Sequence, residues 1–128
     1  MLNFDYTITT SLDVETASQR VKEAIAKAGF RVLTVHDVQK TLHEKGLTIE
    51  PLKIIEFCNA KSAYAVLQAD IKTSLCLPCK INVYIKDGKT FISGMRPIVL
   101  NHFFPEADLG TLPREIDTAI KNIIDQSK

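Results

Sequence analysis

Residues 80–95 read KINVYIKDGKTFISGM, and this stretch contains the clearest structural signal in the chain. From Ile81 to Ile85, apolar residues alternate with other residues at the period of a strand that has one buried face. Asp87-Gly88 is a two-residue turn signal of the kind that joins antiparallel strands. Because Thr90–Met95 then returns as the next strand, the stretch predicts a β-hairpin and at least one antiparallel strand pair.

Outward from this hairpin, the chain alternates between strand and helix periods. The other predicted elements are strands at Leu2–Ile8, Phe30–Val35 and Leu52–Cys58, and helices at Val14–Ala28, Val38–Lys45, Asn59–Leu67 and from Pro113 onward. The order β-α-β-α-β-α-β-β-α predicts an α+β fold with a single sheet of about five strands and helices packed on it. It leaves open whether the sheet is mixed or mainly antiparallel. Without a linker or an internal repeat, residues 1–128 are expected to form a single domain.

The composition is typical of a folded protein. Of the 128 residues, 45% are hydrophobic and 24% are charged, and the formal net charge is +1. This balance argues against a nucleic-acid binder, which usually has a strongly basic face. The chain has no apolar run long enough to span a membrane, and its N-terminus lacks a signal-peptide pattern. We therefore expect a cytoplasmic protein with neither nucleic acid nor membrane as a partner.

Enzyme motifs are mostly absent, and the clearest local signal is a pair of thiols. The chain lacks the phosphate-binding glycine loops and the nucleophile elbow, so catalysis is less expected than binding, and the sequence leaves the identity of any cofactor open. Cys76-Leu77-Pro78-Cys79 could close a disulfide or bind a soft metal. However, redox motifs of the thioredoxin kind follow a strand and open a helix, whereas this one precedes a strand. A structural zinc site would need about four ligands, and only Cys58 adds a third thiol.

Two further residues are candidates for chemistry. Cys58 precedes the proposed helix cap Asn59, where the positive end of a helix dipole can activate a thiol. Cys58 can equally be the last core residue of an apolar strand. His102 lies in the aromatic segment Asn101–Phe104, which can line a pocket or a partner surface, or can be purely structural.

Several segments together resemble domain-of-unknown-function family 302. They are Ala28–Leu33, Thr34–Val38, Glu56–Ala60 and Leu77–Tyr84, and the resemblance spans residues 6–100. It implies a compact α+β fold and a homodimer, with no settled activity. Cys58 and Cys79 match the family pattern, whereas Cys76 lies outside it and Ala60 stands where the family often has proline.

The leading functional hypothesis is a dimeric binding module that holds a small ligand, a haem-like group or a soft metal near Cys58 and Cys79. Asn59 and His102 complete the candidate ligand-binding residues. One alternative is a thiol-based redox or sulfur-handling accessory protein that uses Cys79. The other is a non-catalytic interaction module that uses the apolar segment Ile98–Phe104.

Cys58 and Cys79 can share a site only if the fourth strand runs antiparallel to the third. The ten-residue connection Ala69–Pro78 exceeds what a simple turn needs, and it is long enough for the chain to return along the sheet. We therefore predict that Cys79 starts beside Cys58 at one end of the sheet.

Overall fold

The computed structural model describes residues 3–128, and its elements follow the predicted order. The strands are β1 (Asp5–Thr10), β2 (Arg31–Asp37), β3 (Leu52–Cys58), β4 (Cys79–Lys86) and β5 (Lys89–Met95). The helices are α1 (Val14–Lys27), α2 (Val38–His43), α3 (Ala60–Ala69), a 3-10 helix (Ile71–Cys76), α4 (Val99–Phe103) and α5 (Leu112–Gln126). The 3-10 helix and α4 are additional to the predicted elements. Of the predicted first strand, Leu2 lies outside the described residues.

All five strands form one antiparallel sheet in the order β1-β5-β4-β3-β2. This confirms the α+β fold and shows that the sheet is antiparallel throughout, not mixed. The β4–β5 hairpin turns at Asp87 and Gly88, whose φ values of 53° and 75° are both positive, as a type I′ turn requires. Phe57 of β3 pairs with Cys79 of β4 in the antiparallel register, so the predicted return of the chain after α3 is confirmed.

Helices α1 and α5 pack on one face of the sheet and form the main core with it. The fully buried residues of the three central strands are Ile55, Phe57, Ile81, Val83 and Ile92. Helix α5 comes so close to β5 that a Cβ at Gly94 would lie 3.1 Å from Ile124 Cδ1 and 3.3 Å from Ile120 Cγ2. Glycine therefore lets this helix reach the sheet, and the main core is closely packed.

A smaller apolar cluster joins α3, the 3-10 helix and α4. Its buried residues are Val66, Leu100 and Leu109, and the residues packed against them include Cys76, Leu77 and Phe104. The segment Ile98–Phe104 contributes to this cluster, since Val99 and Leu100 are buried, although Phe103 is 51% exposed. Most apolar side chains of the segment that was proposed as an interaction surface are thus buried or partly buried within the chain.

The helices are short. The longest, α5, has 15 residues. In the described part of the chain, no helix is long and apolar enough to cross a membrane.

Candidate functional site

A cavity of about 630 Å³ opens between the sheet and the smaller apolar cluster. The strand wall begins where β3 ends and β4 starts, and it continues along β4 and β5. Its strand residues include Cys58, Cys79, Asn82, Tyr84 and Ser93. The opposite wall comes from α3, the 3-10 helix and α4, with apolar residues that include Val66, Leu75, Leu100 and Phe103. The cavity is therefore mainly apolar, with its polar groups concentrated on the strand side.

Asn59 shapes the cavity wall by capping α3. Its Oδ1 accepts a hydrogen bond from Ser62 N at 3.0 Å, which satisfies a free donor of the first helical turn. Its Nδ2 donates to Gly29 O at 3.3 Å, which ties the start of α3 to the end of α1. The protein thus uses Oδ1 and one of the two N–H groups of Nδ2, and the second N–H remains. The predicted cap is confirmed, and the role of Asn59 in ligand binding stays a prediction.

All three cysteines line the cavity. Cys79 begins β4 opposite Phe57, and Cys58 is the next residue of β3, so the two family-matching cysteines lie at the same end of the sheet as predicted. The pKa of the Cys79 thiol is raised from 9.0 to about 11, chiefly because the thiol is buried; the nearby Cys58 also raises it, while Lys80 lowers it. At neutral pH the Cys79 thiol is thus protonated, and this speaks against its use as a nucleophile.

The donor set of the site does not suit a structural metal. Across residues 3–128, no three His, Cys, Asp or Glu side chains group closely enough to hold a metal ion. A structural zinc site uses about four such ligands. The cysteines therefore belong to a mainly apolar wall, where a free cysteine packs as a small hydrophobic residue.

His102 lies apart from the cysteines and is not among the residues that line the cavity, and its role in ligand binding stays a prediction. It lies exposed on α4, outside the cavity wall, with its ring centroid 6.0 Å from that of Phe103. Phe103 instead faces the cavity. Consecutive residues of a helix point in directions about 100° apart, so a four-residue aromatic segment cannot show which member faces inward.

A chain of hydroxyl groups on the strand wall was missed by the sequence analysis. Tyr84 Oη lies 3.0 Å from Ser93 Oγ, which lies 2.6 Å from Thr7 Oγ1. Thr7 Oγ1 in turn donates to Asp5 Oδ2 at 2.6 Å. The four side chains come from three adjacent strands, β4, β5 and β1. In the sequence, these residues are only polar positions within strands of alternating apolar and polar residues. They come together because Thr7 pairs with Ser93 across β1 and β5, and this pairing would have to be known in order to find the group.

Asn82 adds a further polar group to this wall. Its Oδ1 is buried and has no hydrogen-bond partner among residues 3–128. A buried acceptor without a donor is costly, because it has lost its contact with water. The strand wall thus carries one buried acceptor, Asn82 Oδ1, that the described protein residues do not satisfy.

Comparison with known proteins agrees with this fold. The family model described as "Domain of unknown function DUF302" matches residues 6–127, which extends the resemblance seen in residues 6–100 through α5. The chain is similar to the crystal structure of an uncharacterized conserved protein DUF302 from Bacillus stearothermophilus, with 30% identity and a TM-score of 0.92. That comparison covers 99% of this chain and 100% of the other. Among curated proteins, no match is found. The chain belongs to the DUF302 family.

Proposed function

We propose that this chain is a binding module that holds a small, mainly apolar organic molecule in the cavity beside Cys58 and Cys79. The observation that carries the proposal is the cavity itself, whose volume of about 630 Å³ falls within the range of roughly 300–1,000 Å³ that small-molecule sites occupy. Its walls combine many apolar side chains with a few polar groups. Such walls bind a ligand chiefly through apolar burial and orient it through the polar groups.

Among the ligand classes considered, an organic molecule fits the walls best. A soft metal lacks a cluster of suitable side chains in residues 3–128. A haem-like group would gain an axial ligand from a histidine or a thiolate. His102 lies outside the wall, and the Cys79 thiol is protonated at neutral pH because burial raises its pKa to about 11. The same raised pKa disfavours the alternative of thiol chemistry at Cys79.

The first experiment asks whether the cavity binds an apolar probe. N-phenyl-1-naphthylamine fluoresces strongly in apolar surroundings, so its titration into the untagged protein is expected to give saturable fluorescence. Ala63 lines the cavity from α3, and Ala63→Phe is expected to fill the space and abolish most of the signal. Ala65→Phe is the matched control, because Ala65 lies exposed on the same helix outside the wall.

The outcomes of this experiment separate cavity binding from surface binding. A signal that disappears with Ala63→Phe and persists with Ala65→Phe supports the proposal. Equal signals from the wild type and both variants would place the probe on the surface, and no saturable signal would remove the proposal outright. Mass spectrometry of a solvent extract from the untagged protein then identifies any ligand that is retained during purification.

The homodimer stays a prediction of the family resemblance. Apolar side chains that line the cavity are partly exposed, including Phe4 at 56%, Leu75 at 84% and Met95 at 43%. A second copy that covered them would also close the cavity. Light scattering at several concentrations tests this, and a monomer throughout would contradict it.

A further inference from the structure

The hydroxyl chain on the cavity wall has one permitted direction. A carboxylate accepts hydrogen bonds and has no proton to donate. Thr7 therefore donates its single hydroxyl proton to Asp5 Oδ2, at 2.6 Å. The contact of 2.6 Å between Thr7 Oγ1 and Ser93 Oγ then needs the proton of Ser93. In the opposite arrangement, two oxygens would face each other at this distance with no proton between them.

The same assignment of hydroxyl protons applies to Tyr84. Because Ser93 donates to Thr7, the 3.0 Å contact between Tyr84 Oη and Ser93 Oγ uses the proton of Tyr84. The direction is therefore Tyr84 to Ser93 to Thr7 to Asp5. Each hydroxyl in such a chain polarises the next, and the negative charge of Asp5 at the end strengthens the order. Tyr84 is left with lone pairs and no proton for a further partner.

We propose that the ligand of this cavity places a hydrogen-bond donor, a hydroxyl or an amino group, against the Tyr84 oxygen. This inference rests on the proposed function, and it adds the chemical class of the ligand: an apolar skeleton with a donor group at the end that meets the sheet. Tyr84 and Ser93 line the cavity, and the Tyr84 ring is held by stacking on Phe91 at 5.5 Å between centroids.

The other polar groups of the wall do not select between a donor and an acceptor on the ligand. Asn82, two residues from Tyr84 on β4, has a buried Oδ1 without a donor within residues 3–128, and its amide group also carries N–H donors. Asn59 uses its Oδ1 and one N–H of its Nδ2 within the protein. Lys80 Nζ lies 3.4 Å from Pro78 O and 4.0 Å from Glu56 Oε2. Tyr84 is thus the group at which the hydroxyl chain fixes the role of the protein as acceptor.

The test compares two isomers that differ in hydrogen-bond donation. Octan-1-ol and 1-methoxyheptane have the same atoms, but only the alcohol can donate. Each displaces N-phenyl-1-naphthylamine from the wild type and from Tyr84→Phe, a variant that keeps the ring and removes the hydroxyl. The ratio of the two affinities is expected to change by about fivefold in favour of the ether when the Tyr84 hydroxyl is removed, which is the size of one ordinary hydrogen bond. Octylamine, measured in the same way, distinguishes an amino donor from a hydroxyl donor.

Thr7→Val tests the direction of the chain from outside the cavity. Thr7 is exposed on β1 and does not line the cavity, so this substitution removes no side chain that the ligand would touch. It frees the Ser93 proton, which allows Tyr84 to donate instead of accept. The preference for the alcohol is expected to fall to a value between those of the wild type and Tyr84→Phe. A merely structural role of Thr7 would change both affinities by the same factor.

The outcomes separate this inference from the proposed function. If the probe binds in the cavity and neither octan-1-ol nor octylamine shows a preference that depends on Tyr84, the inference is overturned and the binding module stands. If Thr7→Val leaves the wild-type ratio unchanged, the directed chain is overturned. If the probe does not bind in the cavity at all, both proposals fail. A Tyr84-dependent preference for either donor supports the inference and names the donor.

Discussion

The main core and the cavity are both lined by apolar residues, but only the main core is filled. In the core, Gly94 lets α5 approach β5 until Ile124 is in van der Waals contact with the strand. At the cavity, α3 presents the small residues Ser62 and Ala63 and buries only Val66. Side chains this small leave space in front of the sheet. Apolar surface therefore stabilises the fold where helices contact the strands, and it is available to a ligand where they do not.

The largest expected effect comes from removing one phenylalanine from each region. Phe57 is fully buried in the main core, so Phe57→Ala should lower the free energy of unfolding by about 3–5 kcal/mol through lost burial and a new cavity. Phe103 lines the cavity and is 51% exposed, so Phe103→Ala should cost less than about 1 kcal/mol. Urea denaturation of both variants measures the difference. Similar losses would mean that the cavity region is as tightly packed as the core.

A second effect concerns the ion pair that ties the end of β5 to α5. Arg96 Nε and Nη2 donate to Asp117 Oδ1 and Oδ2, both at 3.1 Å, and Asp117 is only 5% exposed. Asp117→Asn should cost about 2–3 kcal/mol, because it leaves the Arg96 charge poorly paired in a half-buried position. Lys121→Gln is the control, since Lys121 Nζ lies 3.7 Å from Asp117 Oδ2 in a more exposed pair and should contribute about 0.5 kcal/mol at most. Chemical denaturation of both variants measures this, and equal losses would contradict the central role of Arg96.

The pH dependence of stability probes the thiol at the boundary of the two regions. Burial raises the pKa of Cys79 from 9.0 to about 11 in the folded chain, so the folded state holds this proton more tightly than the unfolded state does. The resulting contribution to stability is complete below pH 9.0 and is lost as the pH rises toward about 11. Denaturation midpoints of the wild type should therefore fall more steeply over this interval than those of Cys79→Ser. Parallel curves would show that the thiol is not buried.

The smallest expected effects come from serine at the two ends of the CxxC segment. Cys79 packs partly against the main core, so Cys79→Ser should cost about 1–3 kcal/mol at neutral pH. Cys76 ends the 3-10 helix and contacts only the smaller cluster, so Cys76→Ser should cost less than about 0.5 kcal/mol. Denaturant midpoints at one pH compare the two. A larger loss at position 76 would reverse the assignment of these cysteines to the two regions.

Local chemistry made much of the fold predictable from the sequence alone. The Asp87-Gly88 turn, the bounds of β3 and the cap at Asn59 were all predicted, because each depends on residues that are neighbours along the chain. The same holds for the start of α1, where Asp13 Oδ1 accepts a hydrogen bond from Thr16 N at 2.7 Å. The antiparallel return to β4 also followed, since the length of the connection limits where the chain can go.

The candidate site needed the tertiary structure. Thr7 and Ser93 are 86 residues apart, and only the pairing of β1 with β5 brings their hydroxyls together. Likewise, His102 and Phe103 are adjacent in the sequence, yet only Phe103 lines the cavity, because the packing of α4 sets which side of the helix faces inward. From the sequence it was therefore possible to predict the five strands, the four longer helical segments, their order and the family, but not the 3-10 helix or α4. The position of the cavity and the direction of its hydrogen-bond chain were decided by contacts between distant strands and helices, which no local pattern encodes.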